Sequence, residues 1–180
     1  LFSYICGFYF GENSAGAGSL LGDFPLLWKN LQTFLNNDFA TAIGYTTNLD
    51  HENYQSSRTP LLYIFHKLFN PFVDNQITFI RSVFIFSLIT PFLFYICLRQ
   101  KFKNEDTLLL ILISSTLCLS PYFRTSSYWG LEENFGIITL LLSFIFLSKF
   151  LSAVNKDKKY HLIFLITFLS SLCLYFDQKL

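Results

Sequence analysis

The stretch SSYWGLEENFGIITLLLSFIF, residues 126–146, places two adjacent glutamates directly before a long apolar run. From Asn134 to Ser148 the chain carries no charged side chain, and a helix that crosses a bilayer needs about 20 largely apolar residues. The whole chain has the same bias, because 52% of its 180 residues are hydrophobic and 14% are charged. Since soluble domains carry about 25% charged residues, the composition predicts an integral membrane protein.

Four segments reach the minimum of about 17 residues for a spanning helix: 77–98, 107–123, 134–151 and 160–176. Residues 1–10 are typical of the outer end of a fifth. Helices are expected because backbone in lipid must satisfy its own hydrogen bonds, and because the alternating pattern of barrel strands is absent. We therefore predict one all-α transmembrane domain over residues 1–180, built as a polytopic membrane helical bundle. The chain contains no methionine, so we expect it to be a fragment of a longer protein.

The polarity of the connections predicts the orientation of this bundle. Residues 99–106 and 155–159 are short and, with Lys149, contain seven basic and three acidic residues, which places both connections in the cytoplasm by the positive-inside rule. The long segment 11–76 and the connection 121–133 then lie on the outer side. Nine of the twelve acidic residues fall there or at outer helix ends. We expect a multi-pass protein of a bacterial cytoplasmic membrane with its active face outward, since the loops are short and no N-x-Ser/Thr acceptor occurs.

The outer segment 11–76 is predicted to contain two amphipathic helices in the membrane plane. In GDFPLLWKNLQTFL, residues 22–35, Asp23 suits a helix N-cap, Pro25 suits the first turn, and apolar residues recur at helical spacing. TPLLYIFHKLFNPF, residues 59–72, is similarly short and apolar. Both stretches are too short to span a bilayer, so helices that lie at its surface fit best.

Several kinds of site are not indicated by the sequence. The net charge is +1 without a basic stripe, which argues against nucleic acid as a partner. The four cysteines lie in apolar runs and form neither CxxC nor a Cys/His cluster, so a disulfide framework and a zinc site are not predicted. No metal ligand is assigned, no cofactor is certain, and a need for a divalent metal is left open.

The candidate functional residues each have an ordinary structural explanation as well. Asp23 is either a helix cap, the favoured interpretation for this residue alone, or a catalytic base at the water–lipid boundary. Glu132 and Glu133 suit the positive end of a helix dipole, or form an acid pair whose members resist simultaneous ionisation when partly buried. Tyr128 is an interfacial anchor or a substrate contact. Arg58 either reaches towards the headgroups or binds a lipid phosphate.

The order of these features resembles that of the GT-C glycosyltransferases that use polyprenyl-phosphate sugars, especially the branch of protein O-mannosyltransferases and aminoarabinose transferases. The matching stretches are GDFPLLWKNLQTFLNNDF, SRTPLLYIFH, SPYFRTSSYWGLEENFG and LSSLCLYFDQK. The correspondence in order covers nearly all of the chain, which would then be the N-terminal part of a larger enzyme. The chain departs from the family pattern where Phe24 follows Asp23, where Thr59-Pro60 replaces a double proline, and where glutamate replaces the second-loop aspartate.

The resemblance implies a function and a role for each candidate residue. Asp23 matches the first-loop acid that activates the acceptor, and Glu133, or its neighbour Glu132, matches the second-loop acid. Arg58 falls where the family has a basic residue near the lipid phosphate, with Arg124 as a second cation for the departing phosphate. The expected partners are a polyprenyl-phosphate sugar, membrane lipid, and an acceptor glycan, lipid or protein. The expected activity is transfer of the sugar to an acceptor hydroxyl at the outer surface, with inversion.

Other classes of membrane protein stay open at this point. A multi-pass transporter or flippase of lipid-linked sugars would carry out no covalent chemistry, but transport pathways often place ionisable groups at mid-membrane, and the four predicted spans carry almost none there. A polysaccharide polymerase or ligase would differ in its acceptor. A structural membrane subunit would use its outer loops to bind a partner.

Overall fold

A computed structural model gives the fold of residues 1–12, 22–48 and 60–176. All regular secondary structure in these ranges is helical. In chain order the α-helices there are α1 (Phe2–Tyr9), α2 (Asp23–Asn36), α3 (Phe39–Thr47), α4 (Leu61–Phe69), α5 (Gln76–Ser87), α6 (Ile89–Lys101), α7 (Thr107–Ser115), α8 (Pro121–Trp129), α9 (Glu133–Leu151) and α10 (Lys156–Phe176). The predicted all-α fold class is confirmed at the level of secondary structure.

Three helical stretches within the described ranges are long and apolar enough to cross a membrane: Gln76–Lys101, Glu133–Ser152 and Lys156–Phe176. They correspond to three of the predicted spans. The first stretch consists of α5 and α6, which meet at Leu88. This break lies one turn before Pro91, which has no N–H to donate to the carbonyl of Ser87.

The fourth predicted span, 107–123, is not a straight helix. α7, extended by a 3₁₀ turn at Thr116–Leu119, is bent by 62° relative to α8. Ser120 caps α8 by accepting a hydrogen bond from the Phe123 N–H at 3.5 Å, and Pro121 is its first residue. Because proline cannot donate to the preceding turn, the first helix ends and a second begins. The connection predicted over 121–133 therefore contains a helix.

The outer segment contains three short helices within its described residues. The two predicted stretches form α2 and α4, so their helical character is confirmed, whereas their position in the membrane plane stays a prediction. α3 was not predicted. The Asp38 carboxylate caps it by accepting hydrogen bonds from the N–H and the hydroxyl of Thr41 at 2.9 and 2.8 Å. Asp23 is not the cap of α2, because Gly22 holds that position and Asp23 lies in the first turn.

Aromatic side chains form much of the core at one end of the helices. The ring of Tyr4 on α1 lies 5.3 Å from that of Phe84 on α5 and 5.2 Å from that of Phe123 on α8. The Phe135 ring, at the start of α9, lies 5.2 Å from Phe65 on α4 and 5.6 Å from Phe176 at the end of α10. These contacts join the start of α9 and the end of α10 to α4, and α1 to α5 and α8.

Candidate functional site

Buried polar side chains concentrate on α8 and the first turn of α9. We call this set the α8–α9 polar cluster; its members are Arg124, Ser126, Ser127, Tyr128, Glu133 and Asn134, each buried. Gly130 makes the turn between the two helices with a φ of 71°, in the left-handed region that disfavours other residues. A Cβ at this position would lie 2.9 Å from the Phe79 ring. The turn therefore requires glycine for both its backbone and its packing.

Glu133 is held inside the cluster rather than in bulk water. Its side chain is 5% exposed, and its Oε2 accepts a hydrogen bond from the Ser126 hydroxyl at 3.1 Å. It lies in the first turn of α9, where the helix dipole favours a negative charge. Glu132 occupies the N-cap position without a side-chain capping bond and is half-buried. The two adjacent glutamates therefore have different surroundings, and Glu133 is the enclosed one.

Ser127 and Asn134 fix the angle between α8 and α9. The Asn134 amide donates a hydrogen bond to the Ser127 hydroxyl at 2.9 Å, and Ser127 donates to the Phe123 carbonyl at 2.7 Å. Both side chains are fully buried. Ser127 and Asn134 directly follow Ser126 and Glu133 in the chain. Their hydrogen bond therefore supports the one from Ser126 to the Glu133 carboxylate.

Arg124 joins α8 to the end of α1. Its Nε–H donates to Glu12 Oε1 at 2.8 Å, and an Nη2–H donates to the other oxygen of the same carboxylate. Further N–H groups donate to the carbonyls of Cys118 at 3.0 Å and Ser3 at 3.1 Å. Such a two-point contact between guanidinium and carboxylate is strong and directional. The cation predicted to meet a departing phosphate is thus bound to a carboxylate of this chain.

Tyr128 also forms a hydrogen bond with α1. Its hydroxyl donates to the Tyr4 carbonyl at 2.6 Å, and the guanidinium carbon of Arg124 lies 5.5 Å from the centre of its ring. Gly7 lies against the same groups, and a Cβ there would overlap the Glu12 carboxylate, the Arg124 guanidinium and the Tyr128 hydroxyl. Arg124 and Tyr128 therefore join the polar cluster to the end of α1 and hold α1 against α8.

Asp23 lies in the first turn of α2, next to Phe24, whose ring packs on Phe79. Its neighbour Phe24 is buried, and the rings of Phe24 and Phe79 lie 6.3 Å apart. Phe79 also packs on the Gly130 turn, which leads into Glu132 and Glu133. A single aromatic side chain thus lies between the start of α2 and the start of α9. Asp23 itself is half-buried.

Arg58, the predicted ligand of the lipid phosphate, lies outside the described residues. The helix that follows it, α4, begins at Leu61 after Pro60 and packs by Phe65 against Phe135, two residues after Glu133. In the described ranges no group of three or more His, Cys, Asp or Glu side chains is arranged to hold a metal ion.

Two features of the site were missed in the sequence. Glu12 was counted among the outer acids but given no role, and Ser126, Ser127 and Asn134 were not considered. A signal for Glu12 exists, because Arg124 is the only basic residue between 104 and 148 and a buried arginine needs an anionic partner. The hydrogen bonds from Ser126 to Glu133 and from Asn134 to Ser127 cross the Gly130 turn. Because the sequence does not give the direction of that turn, residue spacing alone does not predict them.

Comparison of the chain with known protein families, with curated proteins and with solved structures found no match.

Proposed function

We propose that this chain belongs to a membrane glycosyltransferase that moves a sugar from a polyprenyl-phosphate donor to an acceptor hydroxyl at the outer membrane surface. The observation that supports it best is Glu133, a carboxylate 5% exposed at the start of a span-length helix. Asp23 stands next to Phe24, whose ring packs on Phe79 beside the Gly130 turn. Acids enclosed at a helix end beside apolar surface suit chemistry on a substrate that is half in lipid and half in water.

The proposed step is a single displacement with inversion at the anomeric carbon. Asp23 takes the proton of the acceptor hydroxyl while that oxygen forms a bond to the anomeric carbon. The bond from this carbon to the phosphate oxygen breaks, and its electron pair leaves with the lipid phosphate. A positioned general base contributes roughly 10²–10⁴-fold to the rate of such a step. In this step Glu133, or its neighbour Glu132, holds the acceptor.

The departing phosphate needs a cation, and Arg58 is the residue proposed to supply it. Arg124 reaches the phosphate only by exchanging the Glu12 carboxylate for it, since its N–H groups are directed at Glu12, Ser3 and Cys118. In this proposal Arg124 and Tyr128 shape the site by fixing α1.

The test compares two aspartates in the full-length protein in membranes. Asp23→Asn removes the proposed base, and labelled sugar transfer from polyprenyl-phosphate mannose or polyprenyl-phosphate aminoarabinose should fall by about 10²-fold or more. Asp38→Asn is the matched control, because asparagine also caps helices well and Asp38 caps α3. Transfer by Asp23→Asn at the rate of Asp38→Asn, with equal expression, would remove Asp23 from its role. Movement of the labelled lipid without transfer would instead favour a transporter or flippase.

A further inference from the structure

The ends of three helices meet on the side of the molecule away from the α8–α9 polar cluster. α6 and α9 run in the same direction: the ring of Phe86, just before α6, lies 5.2 Å from that of Phe135, and further along the Cys97 thiol donates to the Leu141 carbonyl at 3.4 Å. α10 runs back, because its last residue, Phe176, packs on Phe135 with the ring centres 5.6 Å apart. The ends of α6 and α9 and the start of α10 therefore lie at one end of the molecule.

Basic side chains collect at this end. We call this set the basic end; its members are Arg99, Lys101, Lys103, Lys149, Lys156, Lys158 and Lys159. The same connections contribute three acidic residues, which leaves an excess of four positive charges. One of the acids, Asp106, caps α7 by accepting a hydrogen bond from the Leu109 N–H at 3.3 Å. None of the seven cations forms an ion pair with a described residue, so their charge is left for a partner outside this part of the chain.

Two of these lysines lie on phenyl rings instead of carboxylates. Lys149 Nζ lies 5.3 Å from the centre of the Phe146 ring, and Lys159 Nζ on α10 lies 5.6 Å from that of Phe150 on α9. A cation over a ring face is attracted by the ring and keeps its charge. Both rings belong to the last two turns of α9. The ammonium groups therefore lie where the span-length helix ends, and long basic side chains at such positions reach the headgroups of a bilayer.

Apolar side chains are exposed among the cations of the basic end. Val154 is 96% and Leu151 74% exposed, and Phe102 and Tyr160 are exposed as well. A nucleic acid or an acidic protein surface would meet the cations and leave these apolar groups in water. A membrane surface satisfies both kinds of side chain, because phosphates lie beside the cations and the apolar groups enter the boundary between headgroups and acyl chains. The mixture therefore favours anionic lipid as the partner.

We propose that the basic end binds the headgroups of anionic phospholipids in preference to zwitterionic ones, with lipid phosphates at its ammonium and guanidinium groups and with Leu151 and Val154 among the first acyl carbons. Clusters of about four to eight basic residues next to a spanning helix attract anionic lipid in this way. The lipid neutralises the excess positive charge and holds the ends of α6, α9 and α10 at one depth. This surface does not depend on the proposed function, since a transporter would carry it equally.

The first experiment reads the lipid next to the basic end by fluorescence quenching. The full-length Val154→Trp variant is placed in bilayers of equal parts phosphatidylglycerol and phosphatidylcholine, with bromine on the acyl chains of one lipid at a time, and the signal of the parent protein is subtracted. Brominated phosphatidylglycerol should quench more strongly at this position. Phe72→Trp, exposed before the start of α5 at the other end of the molecule, is the matched control and should be quenched equally by both lipids. Equal quenching of Val154→Trp by the two lipids overturns the proposal.

The second experiment removes charge from the same Val154→Trp protein. Lys156→Gln with Lys158→Gln should lower the preference for phosphatidylglycerol by up to about 25-fold, since each basic side chain near a membrane surface contributes about fivefold. Lys29→Gln with Arg81→Gln, at exposed basic residues on α2 and α5, is the matched control and should keep the preference. Salt at about 1 M, which shortens the Debye length to about 3 Å, should abolish it. Equal preference in the two double variants, or a preference that survives this salt, overturns the headgroup assignment. The readout is lipid contact alone, so absence of sugar transfer does not affect it.

Discussion

Removal of the Glu12 carboxylate tests the contact that joins α1 to α8. Glu12→Ala deletes both hydrogen bonds that Glu12 accepts from Arg124, whose side chain is 7% exposed, and leaves the guanidinium with the carbonyls of Ser3 and Cys118. Breaking a fully buried ion pair costs about 3–5 kcal/mol. The Glu12 side chain is 41% exposed, so water replaces part of the lost interaction and the expected loss is about 2 kcal/mol.

The assay is thermal unfolding of the purified protein in a mild detergent, followed by circular dichroism. For chains of this size, about 1 kcal/mol corresponds to roughly 2–4 °C, so Glu12→Ala should lower Tm by about 4–8 °C. Glu105→Ala, at an exposed acid in the connection between α6 and α7, should change Tm little. A double variant with Arg124→Ala should lose less than the sum of the single variants, since the two side chains contact each other. A Tm for Glu12→Ala equal to that of Glu105→Ala would refute the reasoning.

Two further predictions concern the same end of the molecule. Gly7→Ala should lower Tm because the new methyl group overlaps Glu12 and Arg124. Gly44→Ala on α3, whose methyl group meets no atom within 4 Å, should instead raise the free energy of unfolding by up to about 1 kcal/mol through helix propensity. Equal Tm values for the two variants would contradict the packing around Gly7. Burial lowers the pKa of His66 to about 3, so the unfolded chain takes up a proton below about pH 6.5 that the folded chain refuses. The free energy of unfolding should therefore decrease by about 1.4 kcal/mol for each pH unit as the pH is lowered from 6 to 4. Urea or heat unfolding measures this decrease. His66→Gln should remove this slope and His161→Gln, at an exposed site on α10, should keep it; the opposite result would contradict the burial of His66.

The helices that are long and apolar enough to cross a membrane are the part of the fold that the sequence predicts well. Their length and continuous apolarity are local properties, so 134–151 and 160–176 agree closely with α9 and α10. Asp23 and Pro25 also predict the start of α2 correctly, although Gly22 rather than Asp23 takes the cap position. The bend between α7 and α8 was missed despite a local signal, since Ser120-Pro121 both caps one helix and ends another.

The candidate site is less accessible to sequence reasoning because its contacts are long-range. Arg124 and Glu12 are 112 residues apart, and no periodicity relates them. The bond from Ser126 to Glu133 depends on the left-handed Gly130 between two helices, whose direction a sequence does not reveal. α3 was not predicted because Gly44 and several β-branched residues weaken its helix propensity. Asp38 was counted only as an acid of the outer segment and not as a helix cap.

The most direct measurement of the proposed activity follows both halves of the donor in one reaction. The full-length protein in liposomes would receive a polyprenyl-phosphate sugar labelled in the sugar and in the phosphate, together with candidate acceptors. Glycosyl transfer predicts one free polyprenyl phosphate for each new glycosidic bond, with the anomeric configuration inverted. Movement of both labels together across the bilayer, with the bond between sugar and phosphate intact, would contradict it.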